Sequence, residues 1–367
     1  PMLRPTPTST PAPSATPPSG AAVEAHESTA NNPWHARLAP YRAPSAAKSI
    51  WQLTSTLVLL ALSWGAVFAL VSIGSWWALL PIPLAAGLLV RTFVLQHDCG
   101  HRSFFRSTAA NDRIGVWLGL ITLTPYHTWR RLHAVHHATS GDLDRRGKGG
   151  EILLLTVDEY RARGFWGRLA YRLYRNPFVL FGIGPFYQFA IKQRFAYDLP
   201  KTWKRERRSV WFTNIGAAVL LTLGILAFGW QTFVLAYVPV LALGSAIGVW
   251  MFYVQHQYEE GYFHHRKEWD YVDAAIKGSS HFRLPKVLQW MTANIGIHHV
   301  HHLDSRIPNY LLQTALDQQP ELQAAEQMTL ADAFRVTRLK IWDEKSERLL
   351  TWGEYARLTA DEKRSAS

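Results

Sequence analysis

The stretch "LAAGLLVRTFVLQHDCGH" (residues 84–101) joins a long apolar run to two histidines that are four positions apart. The run belongs to residues 76–95, which are apolar and long enough to cross a bilayer as a helix of about 20 residues. On a helix, side chains at positions i and i+4 lie on the same face. His97 and His101 are therefore predicted to point together at the end of a membrane-spanning helix.

Three other stretches have a similar length and apolar character, and they cover residues 51–73, 210–229 and 232–254. Little more than "GSW" separates the first span from the second, and "WQ" separates the third from the fourth. Such short, uncharged connections allow only tight hairpins. The fold is therefore predicted to be all-α, a four-helix membrane bundle of two hairpins, with both termini and all large polar segments on one side of the membrane.

The distribution of charge predicts which side this is. Residues 96–209, between the hairpins, contain twenty Lys plus Arg against nine Asp plus Glu, and loops this basic remain in the cytoplasm. We therefore expect an integral protein of the cytoplasmic (inner) membrane, with both termini and any active site in the cytoplasm. The net charge of +12 does not indicate nucleic acid as a partner, because no binding motif accompanies it and anionic lipid headgroups also attract arginine.

Composition divides the chain into two parts. The first 44 residues hold ten of the twenty prolines, together with Ala, Ser and Thr, so residues 1–45 are predicted to form a disordered tail. No signal peptide is recognised there. Residues 46–367 are predicted to form one membrane domain, and its polar C-terminal part is expected to end in a helix that starts near Thr329 and includes Phe334 and Trp342.

Nine of the sixteen histidines fall in three five-residue windows, "HDCGH", "HAVHH" and "HHVHH". Each window can present two or three imidazoles to one point from a helix. Imidazole is a ligand for Zn, Cu, Fe and Ni, and eight or more imidazoles exceed what one ion takes, so two metal ions are predicted. The single cysteine excludes a cysteine-rich metal site. The nine residues are His97, His101, His133, His136, His137, His298, His299, His301 and His302.

The chemistry is narrowed by what the sequence lacks. It has no H-E-x-x-H zinc protease motif, no G-x-S-x-G nucleophile elbow and no P-loop. A two-metal site of imidazoles beside lipid fits redox chemistry on an apolar substrate, with electrons from another protein. Two alternatives stay open: a hydroxylase or ketolase acting on an alkane, carotenoid or sphingolipid, and a non-catalytic membrane metal binder or transporter. Against transport, only Arg91 is an ionisable group inside a span.

At these residues the sequence resembles the integral-membrane fatty acid desaturases, in particular the acyl-lipid omega-6 (delta-12) enzymes of bacteria and plastids. The resemblance lies in "QHDCGHRSFFRS" (96–107), "LTPYHTWRRLHAVHHATSGDLDRRG" (123–147) and "TANIGIHHVHHLDSRIP" (292–308). It implies a helical cytosolic cap that holds two Fe ions and uses O2 and two external electrons to place a cis double bond in an acyl chain of a membrane lipid. The expected electron donor is a ferredoxin or a cytochrome b5-like protein.

By the same resemblance, the metal ligands are expected to be His97, His101, His133, His136, His137, His298, His301 and His302. A further ligand of the family follows the last span, where this chain has His256 in "YVQHQYE". An asparagine that holds a metal-bound water in some distant relatives is replaced here by Phe252. Four carboxylates beside the windows could orient the ligand imidazoles or be solvated loop residues. They are Asp98, Asp142, Asp144 and Asp304.

One histidine of "HHVHH" is surplus. On a helix, His298, His301 and His302 span an arc of about 100°, but so do His298, His299 and His302. The window "HAVHH" allows only the spacing H-x-x-H-H, and the same spacing in the third window selects His298, His301 and His302. His299 is therefore predicted to lie beside the site without binding a metal, as a neighbour of the ligands or of the substrate.

Overall fold

The computed structural model describes residues 33–365, which are mostly helical with two short sheets. The α-helices are, in order, Trp34–Leu38 (α1), Ala46–Ser72 (α2), Pro81–His101 (α3), Thr108–Ile121 (α4), Tyr126–Thr139 (α5), Val157–Ala162 (α6), Phe165–Tyr174 (α7), Gly184–Phe186 (α8), Lys204–Phe228 (α9), Trp230–His256 (α10), Tyr271–Ile276 (α11), Lys286–Met291 (α12), His298–Leu303 (α13), Asn309–Asp317 (α14), Leu330–Arg335 (α15) and Trp352–Ser365 (α16). The strands are His281–Phe282 (β1), parallel to Gln327–Met328 (β2), and Leu339–Asp343 (β3), antiparallel to Arg348–Thr351 (β4).

Four helices are long and apolar enough to cross a membrane, and they confirm the four predicted spans. They are α2, α3 together with the 3-10 turn Trp76–Leu79 before it, α9 and α10. Helix α3 is the central one, because 61% of its apolar window is buried against 22%, 17% and 33% in the others, and it packs against α2, α4 and α10. The outer faces present large apolar side chains such as Leu62, Leu226 and Trp230, as lipid requires.

Each membrane hairpin turns at a glycine with positive φ. The angle is 67° at Gly74, between α2 and α3, and 76° at Gly229, between α9 and α10. A side chain disfavours this left-handed backbone, so glycine permits the reversal in very few residues. Both hairpins therefore place their open ends on one side, where the rest of the chain forms a cap over them.

Helices α3, α4 and α5 are joined where the first two histidine windows meet. The hydroxyl of Tyr126, the first residue of α5, lies 2.8 Å from the Cys99 carbonyl oxygen and 3.1 Å from Asp112 Oδ1. The Tyr126 ring occupies the space beside Gly115, where a Cβ would lie 2.2 Å from the ring. These contacts fix the beginning of α5 against the last turn of α3.

A buried arginine ties the cap to the membrane bundle. Arg175 is 0% exposed and donates from Nη1 to Gln257 Oε1 (2.7 Å), just after α10. From Nη2 it donates to the Leu339 carbonyl oxygen in β3 (3.0 Å). Because Arg175 follows α7 directly, one side chain joins the segment between the hairpins to α10 and to the C-terminal part of the chain.

The helix predicted from Thr329 through Trp342 is shorter than expected. Thr329 does cap a helix, since its side chain accepts from Asp332 N and the Asp332 carboxylate accepts from Thr329 N, but α15 ends at Arg335. Trp342 lies instead in β3, where its N–H donates to the Leu155 carbonyl oxygen (3.0 Å). All five residues of β3 are buried, so the strand lacks the alternation that distinguishes a strand from a helix in sequence.

The boundary predicted at residue 45, between a disordered tail and the membrane domain, is also wrong. Residues 1–32 of the predicted tail lie outside the described residues. Residues 34–42 form α1 and the 3-10 turn Ala39–Arg42 instead of a disordered tail. Leu38 is 0% exposed and belongs to an apolar cluster with Ile297 and Leu316, while Tyr41 Oη donates to Gln318 Oε1 (2.7 Å). The apolar spacing i, i+4, i+7 of Trp34, Leu38 and Tyr41 is helical, but the tail's overall composition conceals it.

The turn between α4 and α5 lies in the connection between the two histidine-bearing helices, α3 and α5, and its packing can be tested. A Cβ on Gly119 would lie 2.5 Å from the Thr124 carbonyl oxygen, a backbone atom that cannot move alone. We expect Gly119→Ala to destabilise the protein by roughly 1–3 kcal/mol, measured as a lower thermal midpoint in detergent. Gly65→Ala on α2 is the control, since nothing lies within 4 Å of its Cβ position. Equal midpoints for both variants would contradict this account.

Candidate metal centre

The three histidine windows and His256 meet at the cap-side ends of the membrane helices. Helix α3 carries the first window on its last turn, α5 carries the second, α13 carries the third, and His256 is the last residue of α10. Ser280 joins the last two elements, because its N–H donates to the Gln255 carbonyl oxygen (3.0 Å) and its carbonyl oxygen accepts from the His298 N–H (3.3 Å). Four separate segments thus bring imidazoles to one place.

The histidines form two groups, and each could hold a metal ion. Within each group, one ligand nitrogen per residue lies within 4.8 Å of every other. The first group is His97, His101, His133, His137 and His301, and the second is His136, His256, His298 and His302. Helix α5 contributes an i, i+4 pair to the first group and one histidine to the second, whereas α13 contributes one histidine to the first and an i, i+4 pair to the second.

The distances between ring nitrogens fit metal coordination. In the first group, His137 Nε2 lies 3.1 Å from His133 Nε2 and 3.2 Å from His301 Nε2. In the second, His256 Nε2 lies 3.1 Å from His136 Nε2 and 3.0 Å from His298 Nε2. Two imidazole nitrogens bound at right angles, each at about 2.1 Å from one ion, are about 3.0 Å apart.

Several buried nitrogens have no protein partner, which is a second mark of a metal site. Among the described residues, His97 Nε2, His101 Nε2 and His302 Nε2 are buried without a hydrogen bond. Buried polar atoms are normally satisfied, so each such atom needs an explanation, and a metal ion supplies one. The two groups adjoin each other, since the His137 ring stacks on the His302 ring with centroids 4.1 Å apart.

The protonation state of the rings suits metal binding. Burial lowers the pKa of the cap histidines well below the ordinary value of 6.5, and neighbouring histidines lower it further; this holds for His133, His137, His298, His301 and His302. These rings are therefore uncharged at pH 7. A neutral imidazole has the free nitrogen lone pair that a metal needs.

Two of the rings are oriented by groups behind them. Asp98 Oδ1 lies 3.3 Å from His97 Nδ1, while its Oδ2 accepts from Asn309 N and Asn309 Nδ2, both at 2.8 Å. His256 Nδ1 lies 3.0 Å from the Gly278 carbonyl oxygen, which can only accept, so the proton is on Nδ1 and Nε2 faces the other histidines. Such contacts fix the tautomer and the ring plane of a candidate ligand.

The other three carboxylates considered as orienting groups contact no ring of either group within the described residues. Asp142 accepts from Asp144 N (2.9 Å) and Arg145 Nε (2.6 Å). Asp144 pairs with His265 Nδ1 (2.7 Å), and Asp304 pairs with the guanidinium groups of Arg42 and Arg306. Their place in the turns after the windows explains this, because short acidic side chains there bind neighbouring backbone and loop cations.

His299 is fully buried but belongs to neither group. Its ring lies 5.9 Å from the ring of His281, and burial lowers its pKa to about 3, so it is neutral. Its neighbours Ile297 and Val300 are part of the apolar cluster that also receives Leu38 from α1. His299 thus faces the cap interior, away from the nine candidate ligands.

One neighbour of the site, Glu151, was not predicted from the sequence. Its Oε1 lies 3.7 Å from His136 Nδ1, and within the described residues neither atom has a hydrogen bond. Its Oε2 accepts from Gly147 N and Gly149 N, both at 3.1 Å. Burial alone would raise the pKa of Glu151, but the His136 ring and backbone amides lower it overall, so the group is a carboxylate. Its only signal was the glycine-rich "GKGGE" after the second window.

Aromatic side chains pack against histidine rings of both groups, and one of them also lines a cavity. The Trp129 ring stacks on His133, with centroids 4.5 Å apart and planes 19° apart. Phe252, at the position of the missing asparagine, lies 5.1 Å from His136 and 5.2 Å from His256. A cavity reaches the second group there; its lining includes Glu151, Arg146, Leu143, Phe252, His136 and His256.

Comparison with known proteins agrees with this geometry. A family model described as "Fatty acid desaturase" matches residues 74–329. The chain belongs to the fatty acid desaturase family. A protein named "Fatty acid desaturase" from Bacillus subtilis (strain 168) is 40% identical to this desaturase over 316 residues, which are 86% of this chain and 89% of that protein. Members of this family are oxidoreductases, so the protein is an enzyme of that class.

More distant relatives of this desaturase have more specific names. The "sn-1 oleoyl-lipid 12-desaturase" of Picosynechococcus sp. is 28% identical over 251 residues, which are 68% of this chain and 71% of that protein. The "sn-1 acyl-lipid omega-3 desaturase (ferredoxin)" of Nostoc sp. (strain 36) is 26% identical over 283 residues, which are 75% of each chain. All three relatives are named as desaturases, and the names of the latter two specify different double-bond positions.

The division of "HHVHH" in this desaturase can be tested by metal content. We expect His301→Ala to lose metal, because the first group loses a nitrogen 3.2 Å from His137 Nε2. His299→Ala should retain the full metal content and lose only stability, by roughly 2–5 kcal/mol from the cavity left in the cap. Metal per chain is measured by elemental analysis of the purified variants. Equal metal loss in both variants would show that His299 is a ligand.

The role of Glu151 can be tested by removing its charge at constant shape. We expect Glu151→Gln to weaken metal binding at the second group by about 10–100-fold, because the carboxylate charge that faces His136 Nδ1 at 3.7 Å is lost. A titration of metal-free protein with Co²⁺, followed by its visible spectrum, measures this affinity. Asp144→Asn is the control, because Asp144 pairs with His265 outside both groups. Unchanged affinity in Glu151→Gln would refute this role.

Proposed function

We propose that this desaturase is an acyl-lipid desaturase that holds two iron ions and uses O2 and two external electrons to introduce a cis double bond into an acyl chain of a membrane lipid, at the omega-6 (delta-12) position. The observation that carries the proposal is the pair of adjoining imidazole groups at the ends of membrane-spanning helices, in a chain of the desaturase family. The nine candidate ligands are the residues of the two groups.

The redox balance explains why a metal centre and an electron donor are both needed. Removing one hydrogen from each of two adjacent methylenes supplies two electrons and two protons. Reducing O2 to two water molecules takes four of each, so two electrons and two protons come from outside the substrate. Bound iron supplies the O2 activation that breaks unactivated C–H bonds, which side-chain acids and bases cannot do.

The protein's own residues supply position, protonation state and exclusion of water. Burial lowers the pKa of His133 and His302 and keeps them neutral, so that they offer lone pairs instead of positive charge. Asp98 and the Gly278 carbonyl oxygen hold His97 and His256 in one orientation. Trp129 and Phe252 pack against the rings and leave an apolar surround, which favours a methylene chain over water.

The substrate and the position of the new double bond are inferred from the spans and from the relatives. Four membrane-spanning helices bring the site to the membrane boundary, where a lipid acyl chain can reach it without leaving the bilayer. Relatives named as sn-1 oleoyl-lipid 12-desaturases and as a chloroplastic omega-6 desaturase support the omega-6 assignment. The basic segment between the hairpins supports a cytoplasmic site in the inner membrane.

The external electrons are proposed to come from a small soluble or membrane-anchored carrier. Two relatives have "ferredoxin" in their names, which supports a ferredoxin, with a cytochrome b5-like protein as the other candidate. The cap side of the site is where such a carrier can approach, because the membrane covers the other side.

Expression in a host that contains only saturated and monounsaturated lipids tests the proposal. We expect dienoic acyl chains with the wild-type protein, detected by gas chromatography of fatty acid methyl esters. His136→Ala should abolish them while the protein still enters the membrane, because His136 lies outside the spans. His265→Ala is the control, since this histidine is half-exposed and outside both groups.

The other outcomes of this experiment each contradict a different part of the proposal. Hydroxylated chains without dienes would show that the enzyme is a hydroxylase and not a desaturase. Two bound metal ions with no change in any lipid would argue for a non-catalytic metal binder. A diene whose second double bond lies elsewhere would refute the omega-6 assignment and leave desaturation intact.

A further inference from the structure

We propose that helix α12 and its flanking residues, 285–292, are immersed in the cap-side leaflet of the membrane, where Val287, Leu288 and Trp290 contact lipid acyl chains. This inference goes beyond the proposed function, because it concerns a contact between the cap and the bilayer. It does not depend on which metal is bound or which reaction is catalysed.

The first observation is an exposed apolar surface on α12. Val287 is 70% exposed, Leu288 36% and Trp290 42%. The opposite side of the segment is polar and faces the cap: Gln289 Nε2 donates to Gln313 Oε1 (2.7 Å). A short helix with one side bound to protein and an apolar side uncovered is typical of a segment that lies in a membrane interface.

The second observation is the depth of α12 relative to the cap-side boundary of the membrane. A span of about 20 residues counted from Trp76 reaches the cap side near Leu95. Gly87 and Arg91 lie eight and four residues before Leu95, about 12 and 6 Å deeper along α3. A Cβ on Gly87 would lie 1.9 Å from Met291 Sδ, so the end of α12 packs directly on this buried glycine. The segment therefore descends below the membrane boundary alongside α3.

The third observation explains why the segment stays at this depth. Arg91 is 2% exposed inside a span, where an unpaired cation is strongly unfavourable. Its Nε donates to Thr56 Oγ1 (2.9 Å), its Nη1 donates to the Trp290 carbonyl oxygen, and its guanidinium lies 4.3 Å from the centre of the Trp290 ring. Among the described residues no carboxylate pairs with Arg91. The backbone and ring of α12 therefore take the place of a counter-ion.

Lipid is favoured over a protein partner because the uncovered side chains continue the lipid-facing surface of the spans. Arg91 and Thr56 join α12 to α3 and α2, and α2 exposes Trp51 (72%) and Leu62 (65%). Lys286, at the start of α12, is exposed and can extend to the headgroups. A soluble partner could not reach apolar groups below the headgroup layer.

Cysteine labelling tests the immersion. Cys99 is the only cysteine and is 0% exposed, so Val287→Cys provides a single accessible thiol for a bimane label. In phosphatidylcholine vesicles, we expect loss of bimane fluorescence when the lipids carry a nitroxide near the top of the acyl chain, and little loss with aqueous iodide. Leu62→Cys is the lipid-facing control, and Lys345→Cys, with a side chain 78% exposed in the cap, is the aqueous control.

If Val287→Cys is quenched by iodide as Lys345→Cys is, and not by acyl-chain nitroxides, α12 faces water or a protein partner. This measurement requires no activity, so it can fail while the proposed desaturation stands, and it can succeed while desaturation fails.

A second variant tests the anchor. In the Val287→Cys protein, Arg91→Met should release α12 and shift quenching from the nitroxide lipids to iodide, whereas Arg91→Lys should retain part of the lipid quenching. Leu62→Cys with Arg91→Met should keep its lipid quenching, which shows that the bundle is still inserted. Unchanged quenching of the label at Val287 in Arg91→Met would overturn the assignment of Arg91 as the anchor.

Discussion

The structure depends on packing nine imidazoles close together where membrane helices meet the cap. Protonated rings would repel one another at N–N distances near 3 Å, as between His133 and His137, and burial lowers the pKa of both of these rings. Four segments must therefore end at the same place and exclude water there. The contacts of Tyr126, Ser280, Asp98 and Gly278 all serve this requirement.

The cap is held on the bundle by buried cations that bind neutral acceptors. Arg175 uses the Gln257 side chain and the Leu339 carbonyl oxygen, and Arg91 uses a threonine, a backbone carbonyl and an aromatic ring. Neither has a carboxylate partner within residues 33–365. Removing an acceptor would leave a buried charge unsatisfied, which is more destabilising than losing an ordinary hydrogen bond. Cap and membrane bundle are consequently one unit.

What could be predicted from sequence were the features with a local and periodic signal. The four spans follow from length and apolarity, and helical spacing within the windows indicates the other eight candidate ligands, whereas His256 was expected only from the resemblance to the desaturases. Glu151 could not be found this way, because its approach to His136 depends on a glycine loop that only the folded chain brings close. Trp342 and α12 were missed for a related reason: contacts distant in sequence, with Leu155 and Arg91, decide their structure.

The complementary use of α5 and α13 has a mechanical consequence. Neighbouring residues on one helix serve different groups: His136 belongs to the second and His137 to the first, while His301 belongs to the first and His302 to the second. A rotation of either helix that brings a ring closer in one group must draw a ring away in the other. The geometries of the two candidate metal positions are therefore coupled through the rotation of α5 and α13. A shift of one residue in either window would disrupt both positions at once.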